Sequence, residues 1–149
     1  MNVPFHANPP GQPLCGPAAL KMALDYYGID IDLETLALDC DSRITGTLST
    51  DLVTASRLHG INAELIDRMS SHHLTQCLSD GAPVITLVDP RLLYNVIGPP
   101  GHFVVLIDVD SDAIRYHDPD IGPDMLVSRD VFETAWEAKG RKAVRLWKD

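Results

Sequence analysis

The chain has 149 residues, 45% hydrophobic and 22% charged, enough for one domain (residues 1–149) with its own core. Its formal net charge of −9 and its scattered Lys and Arg argue against a nucleic-acid or anionic-membrane surface, both of which need clustered cations. The longest apolar run, HFVVLIDV, has strand length and falls far short of the ~20 residues of a membrane span. The N-terminus lacks the charged and apolar regions of a signal peptide, so the cytoplasm is the expected location.

Taken along the chain, helices come first. From Gly16 to Tyr27 the apolar residues Leu20, Ala23, Leu24 and Tyr27 recur at helical spacing, and Gly28 supplies a stop. A short helix over residues 33–38 starts from Asp32. A third, over 49–59, takes Ser49 as its cap and ends at Gly60. A fourth covers 71–79, with Leu74, Cys77 and Leu78 on one face. Strand signals follow: INAELI alternates, PVITLVD reads as a buried strand, and HFVVLIDV is the strongest β run. The DSDA turn leads into IRYH. SRDVFETAWEA is a late helix with Phe132, Ala135 and Trp136 on one face, and AVRLW closes the chain as a strand. The segment DPRLLYNVIGPPG reads as a long irregular connection and a candidate wall of a cleft. The order describes an α+β domain with N-terminal helices on an antiparallel sheet.

Cys15, Cys40 and Cys77 are odd in number, widely spaced and without a CxxC pair. That pattern fits free thiols in a reducing compartment better than a disulfide framework or a zinc site. No metal and no cofactor are expected. Cys15 stands in GQPLCGPAALKMALDYYG at the first turn of the first helix. It could be a small buried hydrophobe, but a thiol there meets unpaired backbone N–H groups and the helix dipole, which favour an anion. Gly16 permits close approach of a substrate, and Pro17 has no N–H to satisfy in the first turn.

A thiolate nucleophile needs a base, and the base an orienting group. Of the histidines, His59 ends a helix, His72 and His73 open one, and His6 lies in the N-terminal arm. His102 stands at the start of the most apolar strand, after GPPG. If the hairpin turns near Ser111–Asp112, His102 lies roughly opposite residues 119–121, within reach of Asp118. His117 alternates to the opposite face, so it and Asp118 cannot both point at His102.

The blocks VPF, CGPAALKMALDYYG, GHFVVLIDV and DPDIG, with SRDVFETAW late in the chain, resemble the peptidase C39-like family over nearly the whole sequence. The resemblance implies a papain-like cysteine peptidase with Cys15 as nucleophile, His102 as general base and then acid, and Asp118 as its orienter. The substrate would be a peptide or protein, hydrolysed through an acyl-enzyme. Family members fused to ABC exporters remove leader peptides after a double glycine, and this chain carries no transporter segment. The family's upstream glutamine, the second oxyanion donor, is missing: six residues before Cys15 stands Pro9. Asn8, in the glutamine slot of a V-P-x-x-x-Q opening, is preferred to Gln12 for that role. LCG also replaces the family's common DCG. An acyltransferase or deamidase on the same fold, or a peptide-binding module without turnover, remain the alternatives.

Overall fold

The computed structural model describes residues 1–149. Six helices, α1 (Cys15–Tyr26), α2 (Leu33–Asp39), α3 (Ser49–Leu58), α4 (Ser71–Ser79), α5 (Pro90–Tyr94) and α6 (Arg129–Glu137), interleave with six strands. The strands are β1 (Asn62–Ile66), β2 (Val84–Val88), β3 (His102–Val109), β4 (Ala113–Asp118), β5 (Gly122–Ser128) and β6 (Ala143–Trp147). They form one antiparallel sheet in the order β1-β6-β2-β3-β4-β5.

The helix boundaries follow local chemistry. Asp32 caps α2 by accepting from the Thr35 N–H at 2.7 Å, and Ser70 and Ser128 cap α4 and α6 in the same way. Gly28 ends α1 with φ at 79°, in the left-handed region that favours glycine. Ser49 is not a cap: Leu48 holds that position without a side-chain hydrogen bond, and Ser49 is the first helical residue. Two elements escape the periodicity. The segment read as an irregular connection contains α5, set by Asp89, which accepts from the Arg91 N–H at 3.0 Å, and by Pro90 in the first turn. Gly122–Ser128 forms an edge strand whose side chains are mostly exposed or half-buried, so it carries no apolar alternation.

The sheet is covered on both faces. On β3, Phe103, Val105 and Ile107 join Leu20 and Leu24 of α1 and Leu52 of α3 in one core. Val104 and Leu106 join Tyr116, Leu74 of α4 and Phe132 and Trp136 of α6 in the other. Each large side chain buried this way stabilises the fold by about 1.5–3 kcal/mol, which explains why HFVVLIDV is apolar at every position from Phe103 to Ile107. The packing of α1 across β3 brings the start of that helix to the start of that strand. The N-terminal arm is clamped to the same end: Val3 is buried, its carbonyl accepts from His117 Nε2 at 2.7 Å, and Phe5 stands edge-on to the His117 ring.

Candidate active site

Cys15 is the first residue of α1 and half-buried. The cap position before it belongs to Leu14, which has no polar side chain to offer, so no side chain covers the N–H groups of the first turn. At Gly16 an added Cβ would lie 2.9 Å from Thr47 Cβ. Loop 45–47 therefore approaches the helix start as closely as it does only because residue 16 is glycine.

His102, first residue of β3, is buried. Its Nε2 lies 2.6 Å from Asp118 Oδ1, and the ring stands near enough to Cys15 for the thiol to favour its charged form. Because Asp118 occupies Nε2, Nδ1 is the nitrogen left for the thiol. Burial works against the charged imidazolium. The hydrogen bonds and negative charges of Asp118 and Cys15 outweigh it and hold the His102 pKa up at about 10. Burial also opposes the Asp118 carboxylate, but the hydrogen bond and charge of His102, with hydrogen bonds from Tyr94 and the Asp120 N–H, hold its carboxyl below the usual range.

The pairing register explains the meeting. Val105 pairs with His117 and Leu106 with Tyr116, which brings the start of β3 beside the end of β4. Asp118, fully buried, is held from two further directions. Its Oδ1 accepts from the Asp120 N–H at 2.9 Å, its Oδ2 from the Tyr94 hydroxyl, and Tyr94 in turn contacts the Tyr116 hydroxyl at 2.9 Å. His117 points away. Its Nε2–H donates to the Val3 carbonyl while Nδ1 accepts from the Asp124 N–H at 3.1 Å, which assigns the neutral Nε2–H tautomer and a structural role.

Sequence reasoning missed Tyr94 and Asp120. Tyr94 comes from α5, and its only signal was the polar residue in the presumed cleft wall. Asp120 lies two residues past Asp118, in the same DPD run. Its Oδ2 stands 3.6 Å from His102 Nδ1 and its Oδ1 accepts from Asn8 Nδ2 at 2.8 Å. Asn8 is buried, with its backbone N–H on the Pro119 carbonyl at 2.7 Å. Its Nδ2 also donates to the Gln12 carbonyl at 2.7 Å, and its Oδ1 has no partner. The Gln12 side chain is exposed and makes no hydrogen bond. Donor atoms of His102, Asp118 and Asp120 lie within 4.8 Å of one another, close enough to hold a cation. Two of those donors, His102 Nε2 and Asp118 Oδ1, already satisfy each other.

The sequence model of the peptidase C39 family matches residues 11–140. The chain belongs to that family. Its fold is papain-like, that of the C39 peptidase domains. A C39-like peptidase from Bacillus anthracis superposes with a TM-score of 0.85 at 24% identity, over 99% of this chain and 96% of that one. The double-glycine-motif protease of an AMS/PCAT transporter, solved with a leader peptide, gives a TM-score of 0.77 at 23% identity, over 97% and 91%. The peptidase domain of Streptococcus ComA, a bifunctional ABC transporter, gives a TM-score of 0.77 at 20% identity, over 99% and 100%. No curated protein matches the chain. Family and fold together support a cysteine-peptidase-like function. No helix is long and apolar enough to cross a membrane.

In this C39 chain a depression of about 230 Å³ opens at Cys15, between loops 45–47 and 99–101, with Leu87 and Phe103 in its lining. A neighbouring depression of about 220 Å³ shares Thr47, Leu87 and Phe103 with it, so the two form one extended cleft. A larger hollow of about 390 Å³ beside Trp147 shares none of these residues and holds none of the groups described above.

Proposed function

We propose that this protein is a thiol peptidase with Cys15 as nucleophile, His102 as general base and then acid, and Asp118 as the carboxylate that orients it. The observation that carries the reading is the placement of Cys15, at an uncapped helix N-terminus, beside His102, whose Nε2 lies 2.6 Å from Asp118 Oδ1. The Cys15 thiolate attacks the scissile carbonyl and forms a C–S bond. His102 then gives its proton to the leaving amine as the C–N bond breaks. Water, losing a proton to His102, attacks the thioester, and the C–S bond breaks to release the acid and restore the Cys15 thiolate beside protonated His102. Peptide is the substrate class we assign, in line with the structural relative solved with a leader peptide.

The oxyanion of each tetrahedral intermediate would be met by the Cys15 backbone N–H and by Asn8 Nδ2. Both hydrogens of that amide are engaged in the resting site, by the Gln12 carbonyl and by Asp120. Asp120 is the partner that can yield, since its side chain is 46% exposed. Asn8→Ala then lowers kcat by about 10²–10³-fold with little change in KM, whereas Gln12→Ala leaves kcat near wild type. Steady-state kinetics on one peptide substrate reads both. The engaged amide is also the observation that favours the second reading, a module that binds peptide without turnover.

Mass spectrometry of the intact protein, quenched in acid during turnover, tests the main reading. It should show a peptide acyl group on Cys15 that disappears on chasing with water. Adding a primary amine separates hydrolase from transferase: an amide product formed in preference to the acid marks the transferase. Absence of any adduct, together with peptide binding by wild-type protein, would replace the peptidase reading with the binding module.

A further inference from the structure

Most of the twelve Lys and Arg side chains have a fixed partner. Lys21, Arg43, Arg91, Arg115, Arg129, Arg141, Lys142 and Arg145 each lie within 4.0 Å of a carboxylate. Arg57 donates to the Ala63 carbonyl and Lys148 to that of Tyr27. Only Arg68 and Lys139 have neither, and Arg68 is exposed. Lys139 is half-buried and lines the depression that opens at Cys15, where it is the sole charged residue; Lys142, in the adjoining part of the cleft, is paired with Asp67 at 3.1 Å.

Its position is built. Lys139 lies in the turn that ends α6, where its N–H donates to the Trp136 carbonyl at 3.0 Å, as does that of Arg141. Trp136 is fully buried, so this turn cannot drift. The lysine stem runs along Gly101, the residue before His102: an added Cβ there would meet Lys139 Cε at 3.8 Å and Nζ at 3.9 Å. The nearby Asp89 is already held by Arg91, through Nε at 3.0 Å and Nη2 at 2.9 Å, and does not pair with the lysine. A partly desolvated ammonium without a counterion gains most from a ligand that brings one. In a chain of net charge −9, it is also the local exception that lets an anionic group enter the cleft.

We propose that Lys139 is the specificity-determining cation of the cleft, and that the substrate is a peptide with an Asp or Glu side chain within about two residues of the bond presented to Cys15. The proposal deepens the peptidase reading and rests on it for the identity of the reacting bond. Leu87, Phe103 and Pro100 then take the apolar parts of the same segment, while the carboxylate turns toward the turn after α6.

The test uses fluorescent heptapeptides in an alanine–leucine background, with Glu, Gln or Lys at each position in turn and both free and amidated C-termini. Binding is read by anisotropy on the Cys15→Ala protein and turnover on the Cys15 protein. At the responsive position Glu peptides should bind about fivefold more tightly than Gln peptides, and Lys peptides more weakly still. The gap should shrink as salt rises from 0.05 to 0.5 M, as for any partly exposed ion pair. Lys139→Gln should erase the preference and Lys139→Glu should invert it toward Lys peptides, with thermal melts confirming both variants fold. A preference untouched by either substitution, one that follows the free C-terminus alone, or no binding by any peptide would overturn the proposal. Charge-dependent binding without turnover would instead remove the peptidase reading and leave the Lys139 subsite standing.

Discussion

Cys15→Ala brings peptide hydrolysis down to background, a loss of about 10⁴-fold or more, while the folded protein keeps its melting temperature. A single methylene-thiol at a half-buried helix start contributes little packing, so the effect is on the chemistry. The companion measurement is alkylation. Iodoacetamide, mapped by peptide mass spectrometry below pH 8, labels Cys15 much faster than Cys40 or Cys77. Cys40 is buried, and desolvation, reinforced by Asp39 and Asp51, pushes its thiol up to about 12. Burial also raises Cys77, with Arg145 only partly opposing it. Neither therefore supplies thiolate near neutrality. Cys15 has the His102 imidazolium beside it and an uncapped helix terminus beneath it. His102→Ala should slow its alkylation without accelerating that of the other two. Equal labelling of all three thiols would sink the assignment of Cys15 as nucleophile.

Asp118→Asn lowers kcat by about 10²–10⁴-fold at pH 8 and moves the alkaline limb of the pH–rate profile downward. An asparagine preserves the shape and can still accept from His102 Nε2–H, but it removes the charge that holds the imidazolium. Burial, which opposes the charged ring, then prevails and the histidine pKa falls. In the wild type His102 stays protonated up to about pH 10, so the acid needed by the leaving amine is present throughout the neutral range. A kcat/KM profile should show an alkaline limb near that value, and in Asp118→Asn a limb several pH units lower. Stability follows the same signs. The raised His102 pKa contributes stability that is complete below the ordinary histidine pKa and is lost as pH rises toward 10. The depressed Asp118 pKa contributes stability present above the ordinary carboxylate pKa and lost as pH falls through its folded value. Urea unfolding at pH 2, 7 and 11 should show both losses in wild type, whereas the variant lacks the alkaline loss and the carboxylate's share of the acid loss. A variant whose limb stays in place would show that Asp118 does not set the histidine's charge.

How much of this was legible beforehand depended on the range of the interaction. Cys15 at the head of α1 was readable because apolar spacing, the Gly-Pro pair and Gly28 are all local signals. The neighbourhood of His102 and Asp118 was readable because one short turn sets the β3–β4 pairing to within a residue: Val109 with Ile114 follows by counting from that turn, and a bulge between Leu106 and Asp108 then places Val105 opposite His117. The exclusion of His117 followed from strand alternation alone. By contrast, α5 was read as irregular, since its five residues are too few to show a helical period. Strand β5 was passed over because it lies at a sheet edge and buries no continuous face.

The site's remaining parts come from elements far apart in the chain. Tyr94 reaches Asp118 from α5, Asp120 ties Asn8 to the histidine, and Lys139 enters the cleft from the turn after α6. Nothing in the spacing of these residues marks them, because their distances are set by the order β2-β3-β4 and by the packing of α6 on the sheet. Asn8 shows the difference most clearly. Its place seven residues before Cys15 is a matter of sequence, but the engagement of its amide by Asp120 and the Gln12 carbonyl is not. The sequence by itself determined that a cysteine, a histidine and an aspartate would meet, since helix start, strand start and hairpin register are short-range. The tertiary structure alone decided what surrounds them, since burial and charge at a cleft are sums over residues that only folding brings together.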